Sequence, residues 1–388
     1  MITFSDFAIS PALVKMLERQ NITTPTPIQE KTIPVGLDGK DVIGIAQTGT
    51  GKTLAFGLPM IENIRRGEFG LVLAPTRELA IQIEDTFKGL NIKTALLIGG
   101  APMRPQIGQL RGRPMVVIAT PGRLVDHMQQ KTIDLRDAYV VTLDEADRML
   151  DMGFAAAIKK ILSFTPSGRQ TMLFSATMPK AIADLAKQYL NDPVRIEIAS
   201  AGTAAENIEH ELVMLAQDQK PNMLNTLLDE NKGSILVFTR TRHGARKLAR
   251  TIRNNGHRSA EIHSDRSLAQ RKEALTGFKN GQYRILVATD IAARGIDVKD
   301  IELVVNYDIP MCPEDYVHRI GRTGRAGASG KAITLATLDQ SKDIRDIEKV
   351  LKAKLPISPL SMFKPIEPKP VTSSRRPVNA FRTSRSFR

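Results

Sequence analysis

A glycine-rich run is the part of this sequence best suited to chemistry. Residues 46–53 read AQTGTGKT and lie between an apolar stretch starting at Val42 and a stretch with helical periodicity. Glycines let backbone N–H groups converge on phosphate oxygens, and the N-terminus of a following helix adds its dipole. Lys52 would reach the β- and γ-phosphates of a nucleotide, and the Thr53 hydroxyl would ligate Mg²⁺. The alternative is a glycine-rich turn with a surface lysine, and Ala46 stands where the first glycine of the general pattern is usual.

Two acids form the second candidate site. Asp144 and Glu145 directly follow an apolar run at 139–143, and α/β sheets place ligands at the carboxyl ends of their strands. Asp144 would hold Mg²⁺ through water, since this ion keeps much of its hydration shell. Glu145 would orient and deprotonate an attacking water molecule. An isolated acidic cluster at a helix start is more often a solvated surface, but the buried strand and the upstream glycine loop favour catalysis.

The third candidate is an arginine-rich segment, HRIGRTGR at residues 318–325. Arginines contributed by a neighbouring domain can neutralise the charge that develops on a phosphoryl group during its transfer. A basic turn on a solvated face is the alternative for this segment.

The apolar runs that would position these residues are short, rich in Val, Ile and Leu, and do not alternate with polar residues. Such runs are typical of parallel strands buried on both faces, and the polar-periodic stretches between them, such as 242–255, predict helices. The predicted strands form two sets, the first at 42–46, 71–74, 95–98, 115–119, 139–143 and 171–174, the second at 235–238, 260–262, 285–288, 303–305 and 332–336.

A small, polar stretch at 199–206 separates the two sets and predicts an interdomain linker. The sequence therefore predicts an α/β protein with two tandem domains, each a mostly parallel sheet covered by helices. We expect the first domain at residues 1–203, the second at 204–362, and a basic, disordered tail at 363–388.

Composition excludes several classes of protein. Hydrophobic residues make up 42% and charged residues 25%, so the chain can bury a real core. The single cysteine, Cys312, cannot form an internal disulfide, and no ligand spacing indicates structural zinc. The N-terminus carries no secretory pattern, and the longest apolar runs are about strand length, so we expect a soluble, cytoplasmic protein without membrane contact.

The charge balance predicts a polyanionic partner. Lysine and arginine total 55 against 41 acids, which gives a formal net charge of +14. A surplus of this size attracts polyanions and releases their counterions on contact. Residues 363–388 alone hold seven basic residues and one acid. This segment is either a binding arm or a tail that only aids solubility.

Ten short motifs occur in the order of a known family. They are PTPIQ (25–29), AQTGTGKT (46–53), PTRELA (75–80), GG (99–100), TPGR (120–123), DEAD (144–147), SAT (175–177), VFTRT (237–241), ATDIAARGID (288–297) and HRIGRTGR (318–325). The chain thus resembles the DEAD-box ATP-dependent RNA helicases of superfamily 2, and within them the bacterial RhlE-like subgroup. The resemblance implies two RecA-like domains.

The resemblance also implies roles for individual residues. ATP would be bound by Phe4, Gln29, Ala46, Gln47, Thr48, Gly49, Thr50, Gly51, Lys52, Thr53, Asp144, Asp297, Arg322 and Arg325. Within this set, Phe4 would stack on the base, Gln29 would read the adenine edge, and Asp297 would contact the ribose. Glu145, Lys52, Arg322 and Arg325 would be catalytic, and Thr53 and Asp144 would hold Mg²⁺.

RNA contacts are implied for Arg77, Gly100, Thr120, Arg123, Thr239, Arg271 and Thr289, and coupling of the two halves for Asp147, Ser175, Thr177 and His318. Thr, Gly N–H and Arg suit phosphate and sugar, which position RNA without reading its sequence. The segment before Arg271 departs from the family pattern, with Ser264 in place of glycine and Leu268 in place of glutamine.

The function implied is that of an ATP-dependent RNA helicase. It would unwind or remodel RNA duplexes and RNA–protein complexes locally, using ATP and Mg²⁺ in RNA-stimulated hydrolysis. We expect RNA partners bound with little sequence preference, an association with ribosomal or degradation-machinery complexes, and a monomer. Two other functions stay open: an ATP-dependent RNA clamp or annealing module, and a P-loop ATPase that acts on DNA or protein.

The basic tail generates a testable prediction. Removing residues 364–388 should weaken RNA binding most at low salt, because seven cations can bind phosphates there. The slope of the logarithm of the binding constant against the logarithm of the salt concentration should become less steep by about 0.7 for each phosphate of single-stranded RNA that the tail neutralises. The ATPase rate at saturating RNA should stay nearly unchanged, since the predicted catalytic residues lie upstream. Fluorescence anisotropy at several salt concentrations measures the slope, and equal slopes for both chains would contradict a binding arm.

Overall fold

A computed structural model describes residues 2–47, 49–198, 208–290, 301–324 and 330–362. The predicted linker at 199–206, the expected boundary between residues 203 and 204, and the tail at 363–388 lie outside the described residues. No helix in the described ranges is long and apolar enough to cross a lipid bilayer.

The first domain contains a seven-stranded parallel sheet. Its strands are β1 (Val42–Ile45), β2 (Phe69–Leu73), β3 (Thr94–Leu97), β4 (Val116–Ala119), β5 (Ala138–Leu143), β6 (Gln170–Ser175) and β7 (Val194–Glu197). They lie in the order β3-β4-β2-β5-β6-β1-β7, with Val42 of β1 opposite Met172 of β6. The helices are α1 (Pro11–Arg19), α2 (Pro27–Leu37), α3 (Lys52–Asn63), α4 (Arg77–Gly89), α5 (Met103–Arg111), α6 (Pro121–Gln129), α7 (Ala146–Asp151), α8 (Ala155–Ser163) and α9 (Lys180–Tyr189).

The second domain has a six-stranded parallel sheet in its described part. Its strands are β8 (Ile208–Met214), β9 (Ile235–Thr239), β10 (Ser259–Ile262), β11 (Ile285–Thr289), β12 (Leu303–Asn306) and β13 (Gly330–Ala336), in the order β10-β11-β9-β12-β13-β8. The helices described here are α10 (Lys220–Glu230), α11 (Arg242–Asn254), α12 (Leu268–Lys279), α13 (Pro313–Ile320) and α14 (Ser341–Leu351).

Each sheet is buried on both faces, as the apolar runs predicted. Separate hydrophobic clusters cover the two faces of the first sheet, and two more cover the second. The predicted α/β class with two helix-covered parallel sheets is therefore confirmed, and every predicted strand is present within a residue or two. The helix predicted at 242–255 is α11, which Thr241 caps by accepting a hydrogen bond from the Gly244 N–H at 3.0 Å.

Two strands were not predicted, β7 and β8. Both lie at the edge of their sheet, and both mix polar with apolar residues, as in the sequence VRIE of β7. An edge strand is only partly covered by helices, so it does not need a continuous apolar run. The search for such runs therefore missed both.

The parallel topology positions the candidate sites. The glycine loop follows β1, the acids at 144–145 follow β5, and the segment 175–177 begins at the last residue of β6. In the second domain, Thr239 ends β9 and Thr289 ends β11. Because the strands of one sheet run in the same direction, these segments meet at a single edge of each domain.

One arginine of the HRIGRTGR segment belongs to the core of the second domain. The Arg319 side chain is 2% exposed, and its Nη2 donates to Asp290 Oδ2 at 2.8 Å. The same guanidinium donates to Asn306 and to the backbone carbonyl of Asp308, and it lies over the ring of Phe238. Arg319 thus ties α13 to the ends of neighbouring strands.

Replacing Arg319 with methionine should lower the free energy of unfolding of the second domain by about 3–5 kcal/mol, because Asp290 would lose its buried partner. Arg136→Met is the matched control. Arg136 also contacts both carboxylate oxygens of Asp134, but its side chain is 84% exposed, so its removal should have little effect on stability. Hydrogen exchange in the intact chain measures both effects, at the β9 and β12 amides for Arg319→Met and at the β2 and β5 amides for Arg136→Met. Equal protection in the two variants would contradict the structural role.

Candidate active site and nucleic-acid cleft

The glycine loop is folded tightly around Lys52. Gly49 and Gly51 have φ values of 88° and 89°, in the left-handed region that favours glycine. A Cβ on Gly51 would also lie 2.5 Å from the Gln29 side-chain nitrogen, so this position has room only for glycine. Lys52 is buried at the start of α3, and its Nζ donates to the Ala46 carbonyl at 3.0 Å. Thr48 lies outside the described residues.

Helix α2 is fastened to this loop. Gln29 Nε2 donates to the Gly51 carbonyl at 3.0 Å, and Gln29 Oε1 accepts from the Thr26 backbone N–H at 2.9 Å. The Thr26 hydroxyl donates to the Thr50 carbonyl at 2.8 Å. Gln29 therefore lies against the glycine loop, and its contact with adenine stays a prediction.

Phe4, the other predicted base contact, lies in the core of the first domain. Its ring is 2% exposed and meets Phe7 edge-on, with 6.1 Å between the ring centroids. Its stacking on a base stays a prediction.

The two acids after β5 share an electrostatic environment with Lys52. Burial raises the pKa of Asp144 to about 6, and the charge of Lys52 opposes this shift. Burial also disfavours the charged form of Glu145, but Arg148 and Lys52 outweigh it and hold the pKa of Glu145 below its usual value. Arg148 Nη1 lies 3.1 Å from Glu145 Oε2. The site thus keeps Glu145 ionised, as a group that accepts a proton must be.

The next acid connects the DEAD and SAT segments. Asp147 Oδ2 accepts hydrogen bonds from the backbone N–H groups of Ala176 and Thr177, at 3.1 and 2.9 Å, and from the Thr177 hydroxyl at 2.9 Å. The Asp147 N–H in turn donates to the Ser175 hydroxyl at 3.2 Å. Burial disfavours the Asp147 carboxylate, but these donors hold its pKa below the usual range. Three of the four predicted coupling residues are therefore in direct contact.

The second domain brings His318 and Arg322 to the same place. Burial and the charge of Arg148 lower the pKa of His318, while Arg322 adds to the positive field at Glu145. A cavity of about 380 Å³ between the domains is lined by Glu145, Asp147 and His318, and an adjoining one of about 120 Å³ by His318 and Arg322. Asp297 and Arg325 lie outside the described residues.

Metal binding fits the donors that are present. A buried carboxylate, Asp144, lies within the electrostatic reach of the glycine-loop lysine, and Thr53 lies one residue after that lysine. Magnesium in nucleotide sites is held by one or two protein groups together with phosphates, so a dedicated cage is not required. Within the described ranges, no three His, Cys, Asp or Glu side chains form such a cage.

Four of the seven predicted RNA contacts line a second cleft, to which both domains contribute residues. This cleft, about 390 Å³, is lined by Arg77, Thr120, Arg123 and Arg271. Gly100, at a φ of 76°, lies so close to the Arg77 guanidinium that a Cβ there would clash with it. Thr239 and Thr289 lie apart from this cleft, at the strand ends of the second domain.

The sequence did not predict the ion pair that joins the two domains at this cleft. Arg271 Nη2 lies 2.8 Å from Glu78 Oε2, and the two side chains are only 8% and 4% exposed. Burial raises the pKa of Glu78, although the charge of Arg271 opposes this. Leu268, one turn before Arg271, packs against the hydrophobic cluster of the first domain. No local feature of either segment indicated this contact.

Arg148 is a second residue that the motifs did not single out. Its position directly after the DEAD tetrapeptide was the only signal, because an arginine there can reach back to the acid three residues earlier, which directly precedes α7.

Comparisons with known proteins cover both domains. The family model described as DEAD/DEAH box helicase matches residues 26–185, and the helicase conserved C-terminal domain matches residues 219–327. The ATP-dependent rRNA helicase RRP3 of Candida albicans is 43% identical over 82% of this chain, which spans 62% of that protein. The DEAD-box ATP-dependent RNA helicase CshA of Geobacillus kaustophilus is 43% identical over 83% of this chain, which spans 71% of that protein.

Two solved structures of one yeast protein are similar to this chain across both domains. S. cerevisiae Dbp5 bound to RNA and ADP BeF3 has a TM-score of 0.82 at 28% identity, covering 91% of this chain and 95% of that one. A variant of Dbp5 bound to Gle1 and IP6 has a TM-score of 0.73 at the same identity, covering 92% and 95%.

The ordered motifs, the two parallel sheets, the shared site between them and the similarity to these relatives lead to one conclusion: the chain belongs to the DEAD-box ATP-dependent RNA helicase family.

Proposed function

We propose that this protein is an ATP-dependent RNA helicase that locally unwinds or remodels RNA duplexes and RNA–protein complexes, driven by RNA-stimulated ATP hydrolysis. The observation that carries the proposal is the joint site. His318 of the second domain lines the same cavity as Glu145 and Asp147 of the first, and Arg322 lines the adjoining cavity. A catalytic site assembled from two domains can be switched by whatever brings those domains together.

The chain's own groups account for the chemistry of hydrolysis. The loop N–H groups and Lys52 would hold the phosphates in line, and the ionised Glu145 would accept the proton of the attacking water. Arg322 and Arg325 would neutralise the charge that develops on the γ-phosphoryl group. Thr53 and Asp144 would hold Mg²⁺, which supplies charge neutralisation at the phosphates. Gln29, Phe4 and Asp297 would contact the base and ribose.

Coupling to RNA would run through groups that serve both clefts. The network from Asp147 to Ser175 and Thr177 lies beside His318 at the ATP side. On the RNA side, Arg77, Gly100, Thr120 and Arg123 from the first domain and Thr239, Arg271 and Thr289 from the second would bind phosphate and sugar. Contacts with 2′-hydroxyls would favour RNA over DNA.

The buried pair of Glu78 and Arg271 supports closure as the coupled step. Separating the domains would return both charges to water, whereas closing them removes water and leaves each charge with one close partner. Such a pair contributes little unless other contacts hold the domains together. We infer that bound RNA and ATP supply those contacts, so that each ligand favours binding of the other.

Finer assignments belong to the same proposal. We place the chain in the RhlE-like subgroup on its motif pattern, although the two relatives described above, RRP3 and CshA, are 43% identical to it over the aligned residues. The similarity to RRP3, an ATP-dependent rRNA helicase, supports ribosomal RNA as a substrate class. A monomer, a cytoplasmic location, association with degradation machinery, and domain boundaries at 203 and 362 complete the proposal.

The deciding experiment compares ATPase rates with RNA, with DNA of the same sequence and with no nucleic acid, beside strand displacement on a short RNA duplex. Stimulation by RNA together with displacement supports the proposal. Equal stimulation by DNA would contradict it, and stimulation without displacement would favour a clamp or annealing module.

Glu145→Gln should bind ATP and RNA normally and reduce turnover by about 10²–10⁴-fold, because a neutral amide cannot accept the proton of water. Single-turnover hydrolysis and the affinity for a fluorescent nucleotide measure the two effects separately. Glu18→Gln, the same change at an exposed position of α1, is the control. Turnover near that of the control would remove Glu145 from its role as the base.

The interdomain pair can be tested with Glu78→Gln, Arg271→Met and the double variant. Each single change leaves one charge buried without its partner on closure, so the RNA concentration for half-maximal ATPase should rise by about 10–100-fold. The double variant should be less impaired than the sum of the two, with a coupling energy of about 1–3 kcal/mol.

The control for this cycle is Lys88→Met, which removes an exposed partner of Glu84 on the same helix and should have little effect. Nucleotide affinity should also stay unchanged in every variant. Strict additivity of the two changes would show that the pair does not act across the domains.

A further inference from the structure

Helix α11 is unusually basic. Its 13 residues read RHGARKLARTIRN and include five lysines or arginines but no aspartate or glutamate. Like charges three or four residues apart, such as Arg246 and Arg250, destabilise a helix by about 0.2–0.5 kcal/mol per pair. A surface that needs only solubility can avoid this cost by mixing charges of both signs. The composition of α11 therefore indicates a negatively charged partner.

One side of α11 is fixed by the core. Ala245, Leu248, Ala249 and Ile252 are buried against the second sheet. At 100° per residue, the opposite side carries His243, Lys247 and Arg250, all of them exposed. We call these three residues the α11 outer face.

The acids near α11 form ion pairs with arginines on one side of the helix. Asp265 pairs with Arg242 at 2.6 Å and with Arg246 at 3.7 Å, and Glu261 pairs with Arg253 at 3.7 Å. These arginines lie between the outer face and the neighbouring strand β10. Their charges are thus partly neutralised within the domain.

The outer face has no such neutralisation. Across the part of the chain that the structure describes, the side chains of Lys247 and Arg250 have neither a hydrogen bond nor an ion pair. Both stay available to an external anion.

The outer face is continuous with the RNA-facing edge of the protein. Helix α11 starts shortly after Thr239, and its N-terminal arginines are bonded to Asp265. The residue before Asp265 is Ser264, which lines the cleft that also contains Arg271 and Arg77. The helix is about 20 Å long, since each residue adds about 1.5 Å. A single strand of RNA that leaves the cleft beside Ser264 can therefore run along α11.

We propose that the α11 outer face binds the phosphate backbone of single-stranded RNA that extends beyond the cleft. This inference rests on the proposed function, because it needs RNA in the cleft. The helix carries no Phe, Tyr or Trp for base stacking, and lysine and arginine bind phosphate, so the contact is mainly electrostatic and independent of sequence. Its effect is to lengthen the RNA footprint on the second domain.

The test compares a short RNA that fills only the cleft with a longer one that extends past Ser264. The variant is Lys247→Ala/Arg250→Ala, which removes two exposed cations and leaves the buried side of α11 intact. The affinity for the long RNA should fall by about 3–10-fold at low salt. The slope of the logarithm of the binding constant against the logarithm of the salt concentration should become less steep by about 1.4, or about 0.7 for each phosphate neutralised. Affinity for the short RNA and the ATPase rate at saturating RNA should not change.

The matched control is Lys159→Ala/Lys160→Ala, which removes the same charge from exposed positions on α8 of the first domain. It should reproduce any effect of net charge alone. Equal affinities and salt slopes for the two double variants would overturn the proposal, as would an equal reduction for short and long RNA. Failure of RNA to stimulate the unmodified protein would instead contradict the proposed function, so the two failures are distinguishable.

Discussion

A charge that is removed from water needs an opposite charge or several hydrogen-bond donors close by, and the catalytic end of this protein is built around that requirement. Asp144 and Glu145 are delivered into the interior by a strand buried on both faces. Lys52 opposes the cost of burying both of them, and Arg148 adds a direct ion pair to Glu145. The glycine loop and the acidic segment are thus electrostatically dependent on each other.

The same requirement connects the two domains. His318 and Arg322 complete the environment of acids that belong to the other sheet, and Arg271 reaches across to Glu78. These groups would be hydrated separately if the domains moved apart. Closure of the two domains would therefore replace the water around these side chains with specific partners. Under the proposed function, the phosphates of ATP and RNA would add negative charge that the arginines of both domains balance. A mechanism that depends on closure follows naturally from such pairing.

Three arginines of the second domain show how burial decides the role of one residue type. Arg319 is enclosed by acceptors of its own domain and stabilises the fold. Arg322, a few residues later, is also buried but lies beside the neighbouring domain's acid. Arg250 on α11 is exposed and unpaired among the described residues, and we infer that it serves RNA outside the cleft. Sequence spacing alone does not separate these roles.

The sequence by itself determined the architecture and the sheet edge at which the candidate residues meet, because continuous apolar runs must be buried on both faces and motifs after them must meet at one edge of a sheet. The edge strands β7 and β8 escaped because partial exposure permits polar residues. Only the tertiary structure decided the contacts between distant residues. Nothing local in the segments of Glu78 and Arg271 requires the other, and the packing of Leu268 depends on how two separately folded sheets are placed. Periodicity acts over a few residues, whereas the pairing of buried charges depends on which surfaces are brought together.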